Sequence, residues 1–259
     1  MRFLCILAIA RSGSTRLNQI LKSAGMNTKA ELFHRHARGT LAPREFSALE
    51  QASNGAVHDD ESYIAWRHDN PLATLEALYG VRRKGVVAFK VFPGHLERPK
   101  LEALFGREDI GFAILARRPI DSFISKIKAQ TVGTFRGVDT ANMKPALEAD
   151  AFLKWARGMR QWYDINRSDL RARAKPFADL TFENHIDGLT ARESLERMRP
   201  LLRKVGISDF NTLEEEEALQ RQDRESDYRK RVANWEEFEK TLRRNARAAD
   251  LLDWALRVP

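Results

Sequence analysis

The sequence predicts an α/β fold with three layers, in which a central, mostly parallel sheet is flanked by helices and the C-terminal part is helical. Short apolar runs, typical of strands buried on both faces, occur at residues 3–10, 85–92, 111–116 and 176–182. Segments with helical spacing of apolar residues lie between the later runs. Two of the runs also end in a cationic turn that leads directly into a helix.

Length and composition indicate one globular domain with an acidic partner. A chain of 259 residues is long enough for a single α/β domain, and no Gly/Ser/Pro-rich linker divides residues 1–259. The hydrophobic share of 43% and the charged share of 31% are typical of soluble proteins. The net charge of +8 favours nucleotides, acidic glycans, nucleic acid or an anionic membrane surface as partners, without choosing among them.

The first apolar run, at residues 3–10, also indicates in which cellular compartment the protein is expected. Cys5 is the only cysteine, so no intramolecular disulfide forms, and we expect a reducing, cytoplasmic environment. The run is short for a signal peptide, continues into a glycine turn and is followed by no small-residue cleavage site, so we expect a buried strand. Nowhere does an apolar stretch reach the roughly 18 residues of a membrane span, so no transmembrane helix is expected.

The first strand ends in the turn RSGSTR, residues 11–16. Its small residues let backbone N–H groups converge, and they are Ser12, Gly13, Ser14 and Thr15. The helix predicted from Ser14 to about Gly25 directs the positive end of its dipole at this turn. Together with the cations Arg11 and Arg16, the turn predicts a phosphate site in a P-loop-like position. An ordinary helix capped by Ser12 or Ser14 is the alternative.

The next segment predicts a short second strand and two helices. The strand covers residues 28–33 and places Glu31 near its end, close to the phosphate site if the sheet is parallel. The helices cover residues 43–54 and 70–79, the second ending at Gly80. The acidic residues between them favour a solvated turn or helix start over a metal site, and they are Asp59, Asp60 and Glu61.

Two polar residues accompany the strand at residues 85–92. A buried lysine is costly unless it is paired, so we expect Lys90 near the carboxyl end of the strand, facing the anion site. His95 follows the Pro93-Gly94 turn, at the edge where doubly wound folds place their chemistry. A lone histidine is more often structural or merely exposed.

A second strand-to-helix junction follows the strand at residues 111–116, after a helix predicted at 96–105. Arg117 and Arg118 end the strand, Pro119 begins a helix, and Ser122 and Ser125 lie on the first turns of this helix. These groups predict a second phosphate site. A basic helix end on the surface is the weaker alternative, because two such junctions adjoin in one sheet.

The rest of the chain is mostly helical. We expect a loop, and a lid, at residues 132–144 and helices at 145–173 and 190–205. An acidic run at 213–219 and a basic tract at 227–231 follow, and Asn234 is the predicted cap of a final helix.

Together these segments resemble sulfotransferases that use 3′-phosphoadenosine 5′-phosphosulfate (PAPS). RSGSTR after a buried strand resembles their 5′-phosphosulfate loop, and RRPIDSFIS resembles their 3′-phosphate motif, with the same separation as between Arg117 and Ser125. DLTFEN is similar to their late strand-to-helix segment. RVANWEEF, which begins at Arg231, is similar to the C-terminal segment of bacterial glycan sulfotransferases related to those that sulfate nodulation factors and lipid-linked sugars. Residues 35–83 are poorly matched.

Two positions depart from the family pattern. Many members have Lys at the position of Arg11, and cytosolic members often have Trp at the position of Arg16. Arginine at the first position keeps the charge and adds a bidentate fork. Stacking of Arg16 on adenine in place of the aromatic ring is a hypothesis.

The resemblance implies transfer of a sulfuryl group from PAPS to a hydroxyl or amine, with no metal. Arg11 would stabilise the bridging oxygen with Gly13, Ser14, Thr15 and Lys90. Arg117 and Ser125 would hold the 3′-phosphate. Ser12, Arg16 and Arg231 are further residues expected to bind PAPS. Glu31 is the favoured acceptor base, with His95 second. A glycan or glycolipid is the expected acceptor, and a small alcohol or phenol is the alternative.

Two other functions share some of these features. A P-loop kinase or ATPase would begin with the same strand, loop and helix, but the loop lacks Gly-x-x-x-x-Gly-Lys-Ser/Thr, and no Lys follows Gly13. A non-catalytic polyanion or nucleic-acid binder would account for the charge, but not for two small anion sites at strand ends. The sequence therefore favours a sulfotransferase without a nucleic-acid partner, and it leaves the oligomeric state open.

Overall fold

A computed structural model describes residues 1–36, 39, 41–82, 85–133, 142–211, 213, 225, 227–245 and 248–256. Its centre is a five-stranded sheet in the order β2-β3-β1-β4-β5, in which every paired strand is parallel. The strands are β1 (Phe3–Ala8), β2 (Asn27–Thr28), β3 (Val87–Val91), β4 (Ile110–Ala116) and β5 (Phe177–Thr181). This confirms the predicted α/β fold with a parallel sheet between helices.

Helices cover both faces of the sheet. Those in the first half of the chain are α1 (Ser14–Ser23), α2 (Pro43–Ala52), α3 (Asp60–Asp69), α4 (Pro71–Arg82), α5 (Arg98–Phe105) and α6 (Pro119–Val132). Those in the second half are α7 (Ala149–Ala172), α8 (Phe182–His185), α9 (Ala191–Lys204), α10 (Tyr228–Arg231), α11 (Trp235–Arg243) and α12 (Ala248–Asp253), followed by a 3₁₀ turn at Trp254–Leu256. The described C-terminal part is therefore helical, as predicted.

Alternate residues of β1 enter two separate cores. Leu4 and Ile6 pack with the apolar face of α1 and α9, whereas Cys5 and Leu7 pack with the helices of the opposite face. All six residues of β1 are buried, which explains why the run is apolar without alternation. The strand is thus the centre of both cores.

The neighbouring strands β1 and β4 send their helices to opposite faces of the sheet. Helix α1, which follows β1, packs through Leu17 and Ile20 into one core, and α6, which follows β4, packs through Phe123 and Ile124 into the other. In a parallel sheet, such a divergence opens a crevice at the carboxyl ends of the two strands. The two cationic turns predicted from the sequence lie at these carboxyl ends and contact each other.

A buried tyrosine on α7 joins β1 and β4 where they separate. The Tyr163 hydroxyl donates to the Leu115 carbonyl at 2.7 Å and accepts from the Ile9 N–H at 3.1 Å. Burial raises the pKa of this hydroxyl, so it remains a donor at any physiological pH. The hydroxyl thus links the backbone at the ends of β1 and β4 inside the core.

Several boundaries differ from the predictions. The strand predicted at residues 28–33 is only two residues long, and Glu31 lies in the turn after it. Helix α4 continues through Gly80 to Arg82, and α7 begins later than predicted. Asn234 stands at the start of α11, but its side chain bonds the backbone of Leu147 instead of capping the helix.

One further prediction is confirmed, and two others concern segments that lie mostly outside the described residues. The acidic residues around position 60 begin α3, with Asp59 as its cap, which confirms the helix-start interpretation. Most of the predicted lid and most of the acidic run lie outside the described residues. Within the described part of the chain, no helix combines the length and the apolar character that crossing a bilayer requires.

Replacing Tyr163 by Phe tests the bridge between β1 and β4. The substitution keeps the ring but removes both buried hydrogen bonds of the hydroxyl, so we expect a loss of about 1–3 kcal/mol in the free energy of unfolding, measured in urea. Tyr79→Phe is the matched control, since Tyr79 is half-buried and its hydroxyl has no partner among the described residues. Equal losses in the two variants would contradict the assigned role.

Candidate functional site

The turn after β1 has a backbone that depends on glycine. Arg11 and Gly13 both have left-handed backbones, with φ of 68° and 84°. A Cβ at residue 13 would lie 2.1 Å from Cδ2 of Phe182, so no larger residue fits there. This close approach brings the turn against the β5–α8 junction.

The N-terminus of α1 is open to a ligand. Gly13 is the N-cap and no side chain caps the helix, so the interpretation of Ser12 or Ser14 as an ordinary cap is wrong. Ser12 is fully buried, and its Oγ has no hydrogen-bond partner among the described residues. The first N–H groups of a helix have no acceptor within the helix. Thus amides and a buried hydroxyl converge on one point with a positive helix dipole.

The two predicted anion sites are in direct contact. Arg11 Nε donates to Ser125 Oγ at 2.9 Å, which ties the first turn to α6. Arg117 donates through one guanidinium nitrogen to the Arg11 carbonyl at 3.1 Å, and the Ser122 hydroxyl donates to the same oxygen at 3.4 Å. Burial lowers the pKa of Arg11 from its ordinary value, as expected for a cation held partly out of water.

A third turn, between β5 and α8, supports both sites. The Arg117 guanidinium lies 4.5 Å from the ring centroid of Phe182, within cation–π range. Glu183 Oε1 accepts from the Arg118 N–H at 2.8 Å, at the start of α6, and burial raises the pKa of Glu183. Sequence reasoning matched the DLTFEN segment but missed these two contacts. The only sign of these contacts in the sequence is that Phe182 and Glu183 stand side by side at the end of the predicted strand.

Lys90 and Glu31 form a pair one strand away. Lys90 is opposite Ile6 in the β1–β3 register, so its side chain points to the face that α1 covers. Its side chain is 1% exposed, and its Nζ lies 3.7 Å from Glu31 Oε1. The Glu31 side chain is 27% exposed and can therefore meet a substrate. As predicted, Lys90 lies near the carboxyl end of its strand, β3 (Val87–Val91). Its pairing with Glu31 was not predicted from the sequence.

His95 is buried beside this pair. Its ring stacks on Phe92 with centroids 5.0 Å apart and approaches the ring of His34 at 5.5 Å. It hydrogen-bonds the backbone of Lys90, whereas Nδ1 has no partner among the described residues. Burial, together with the nearby His34 and His68, lowers the pKa of His95 to about 4, so the ring is neutral at pH 7.

Arg231 has different neighbours from the other residues that are predicted to bind the nucleotide. It donates to Asp121 Oδ1 at 2.5 Å, and both side chains are 7% exposed. Asp121 also approaches Arg118 at 3.6 Å. Arg231 therefore fastens α10 to the first turn of α6, beside the second anion turn, and a role in donor binding stays a prediction.

Apart from Arg231, the predicted residues fall into two groups at the same edge of the sheet. Arg11, Ser12, Gly13, Ser14, Thr15 and Arg16 belong with Arg117 and Ser125 at the ends of β1 and β4. Glu31, Lys90 and His95 lie at the end of β3, which pairs with the other side of β1. Arg16 is half-buried and Thr15 is exposed on the first turn of α1.

Comparison with known proteins adds no family assignment to this geometry. No protein-family model matches the chain, and no curated protein matches it. The site is therefore interpreted from its own residues.

The pH dependence of stability tests the environment of His95. Its folded pKa of about 4 lies below the ordinary 6.5, so its contribution is complete above about pH 6.5 and is lost as the pH falls towards 4. We expect His95→Gln to lose about 3 kcal/mol less unfolding free energy than the unmodified protein between pH 7 and pH 4. Urea titrations at the two pH values measure this difference. The exposed His36→Gln is the control, and parallel losses in all three proteins would refute the assignment.

Proposed function

We propose that this chain is a sulfotransferase that moves a sulfuryl group from PAPS to a hydroxyl or amine of an acceptor. The observation that supports the proposal most directly is the contact between two strand-to-helix turns, each with an arginine and a serine, at the crevice between β1 and β4. PAPS has anionic groups at both ends of one ribose. A pair of adjoining anion sites suits such a molecule better than one with a single phosphate chain.

The turn after β1 would hold the 5′-phosphosulfate. The open N-terminus of α1, the unpartnered Ser12 hydroxyl and the side chain of Arg11 all supply positive or donor groups there. The junction after β4 would hold the 3′-phosphate through Arg117 and Ser125. Since ATP lacks a 3′-phosphate, this second site would select PAPS over ATP.

For sulfuryl transfer, the protein mainly has to position the two substrates and to stabilise the negative charge that develops on the leaving phosphate. The acceptor oxygen forms a bond to sulfur as the bond between sulfur and the bridging phosphate oxygen breaks, and the electron pair leaves with 3′-phosphoadenosine 5′-phosphate (PAP). Arg11 and the α1 amides would stabilise the charge that grows on the leaving phosphate. Lys90 would add to this field from the end of β3, since β3 and β1 are neighbours.

The acceptor proton needs a base. Glu31 is the first candidate because its carboxylate is partly exposed beside Lys90. His95 is the second, because it is neutral at pH 7 and its Nδ1 has no partner among the described residues. The acceptor is proposed to be a glycan or glycolipid and the location cytoplasmic, on the family resemblance and on the single cysteine.

Ligand-induced stabilisation tests the donor. We expect PAP to raise Tm more than adenosine 5′-phosphate or ATP at equal concentration, since only PAP engages both anion sites. Single-stranded RNA serves as the polyanion control. Equal shifts for ATP and PAP would favour a nucleotide kinase or ATPase, and a larger shift with RNA would favour a polyanion binder.

Arg117→Ala isolates the 3′-phosphate site. Loss of a charge-assisted contact is expected to weaken PAP binding by about 10- to 100-fold, measured by calorimetry, and to leave the affinity for adenosine 5′-phosphate nearly unchanged. Arg157→Ala, at an exposed position of α7, is the matched control for charge. A similar loss for both nucleotides would contradict a role specific to the 3′-phosphate.

Glu31→Gln and His95→Gln distinguish the two candidate bases. If Glu31 accepts the proton, Glu31→Gln lowers kcat by about 10²- to 10⁴-fold with little change in PAP affinity, and His95→Gln has the smaller effect. Release of PAP in the presence of a glycan acceptor measures the rate. A fully active Glu31→Gln with an inactive His95→Gln would move the role to His95.

A further inference from the structure

In the part of the chain that the structure describes, four non-glycine residues have left-handed backbones, and two of them end helices. Asn54 (φ 52°) and Ala174 (φ 51°) follow the C-caps of α2 and α7. In each case the N–H of the next residue donates to a carbonyl five positions back, as in the common left-handed helix end. Helix termination therefore accounts for these two conformations.

The other two left-handed residues lie at the candidate site, where strands end. Arg11 (φ 68°) follows β1, and Ala30 (φ 45°) follows β2. A residue with a Cβ is strained in this conformation and keeps it only where the surrounding structure fixes it. Such strain is concentrated at functional sites. Ala30 directly precedes Glu31, the first candidate for the acceptor base.

Strand β3 fixes the backbone of Ala30. The Lys29 N–H donates to the Ala88 carbonyl at 2.8 Å, and the Lys90 N–H donates to the Ala30 carbonyl at 2.7 Å. Pairing between β2 and β3 thus continues up to Ala30, where the left-handed backbone ends it. The chain turns at this point, and the Glu31 carboxylate lies 3.7 Å from Lys90 Nζ.

A buried ion pair holds the residue before Ala30. Lys29 Nζ lies 2.6 Å from both carboxylate oxygens of Glu45, and the two side chains are 7% and 1% exposed. Glu45 also accepts from the Ala42 N–H at 3.0 Å, so the pair is fixed to the first turn of α2. Removing either partner would leave a buried charge, so this contact restrains Lys29 strongly.

The residues after Glu31 are anchored in the core. Leu32 and Phe33 are buried, and the Phe33 ring meets the Phe89 ring of β3 edge-on, with centroids 5.7 Å apart. The His34 N–H donates to the Glu31 carbonyl at 3.0 Å. The backbone of Glu31 is therefore held from both sides, while its side chain keeps its partial exposure.

We propose that Ala30 is a positioning residue, whose left-handed backbone, held by the Lys29–Glu45 pair, fixes the Glu31 carboxylate beside Lys90 for proton transfer from the acceptor. The catalytic part of this inference rests on the proposed function, whereas the fixed turn does not. Ala30 acts only through Glu31. A base accepts a proton efficiently only when it is held in hydrogen-bond reach of the reacting hydroxyl, so a looser turn slows the reaction.

Ala30→Gly separates positioning from stability. Glycine adopts the same φ without strain and lets the turn move, so we expect Tm to be at least that of the unmodified protein. In contrast, kcat is expected to fall by about 10- to 100-fold, with the affinity for PAP unchanged. Release of PAP from PAPS measures kcat, with methyl β-D-glucoside and 4-nitrophenol as acceptors. Ala174→Gly, which changes the same residue type at nearly the same φ, is the matched control and should keep kcat.

Hydrogen exchange measures the turn without any substrate. The N–H groups of Lys90 and His34 report on it, since they donate to the carbonyls of Ala30 and Glu31. In Ala30→Gly we expect both amides to exchange about tenfold faster than in the unmodified protein, although Tm does not fall. In Ala174→Gly their exchange should be unchanged.

A double variant tests the ion pair. Lys29→Met combined with Glu45→Leu removes both charges together and fills the interior with apolar groups, so the fold is expected to remain stable. We expect the amides of Lys90 and His34 to exchange faster, as in Ala30→Gly. Exchange equal to that of the unmodified protein would overturn the role of the pair.

The outcomes separate the positioning role from the proposed reaction. Faster exchange with unchanged kcat in Ala30→Gly would overturn the positioning role and leave the sulfotransferase standing. A joint fall of Tm and kcat, or unchanged exchange, would also overturn it. If the unmodified protein neither binds PAP nor transfers the sulfuryl group, the proposed function is refuted, and hydrogen exchange alone decides whether the turn is fixed.

Discussion

The site depends on the separation of β1 and β4 at their carboxyl ends. Two parallel strands that send their helices to opposite faces diverge there. The Tyr163 hydroxyl, from α7, bonds the Ile9 N–H and the Leu115 carbonyl and so bridges the two strand ends inside the core. Every proposed donor contact lies just beyond this bridge. A helix distant in sequence thereby fixes the spacing of the two anion turns.

Two arginines lie close together where the turns after β1 and β4 come into contact. Arg11 and Arg117 approach each other, and the fold tolerates this because Arg117 donates to the Arg11 carbonyl and lies over the Phe182 ring. Arg11 is partly buried, and its pKa is lowered by that burial. The Glu183 carboxylate interacts electrostatically with Arg117 and offsets part of this charge.

Local patterns in the sequence were sufficient for the parts of the fold that depend on neighbouring residues. The apolar run of β1, the small residues from Ser12 to Thr15 and the proline that begins α6 each determine the chain over a few positions. Contacts between distant segments could not be predicted in this way. The ring of Phe182 beneath Gly13 and the pairing of Arg231 with Asp121 arise from packing, as does the early end of β2. Helix α4 crosses Gly80 because Leu78 and Leu75 are buried on the same face before it.

The turn of Glu31 is supported differently from the turns after β1 and β4. Its support is the helical layer α2–α4, which lies between β2 and β3 in the chain, in the segment that matches the sulfotransferase resemblance poorly. Lys29 and Glu45 form a buried pair at 2.6 Å, and although burial raises the pKa of Glu45, hydrogen bonding to Lys29 keeps it below its usual value. This pair and the bond from Arg67 to His34 anchor the turn of Glu31 from two helices. The turns after β1 and β4 rest on β1, β4 and β5 instead, so they and the turn of Glu31 are supported by different parts of the fold.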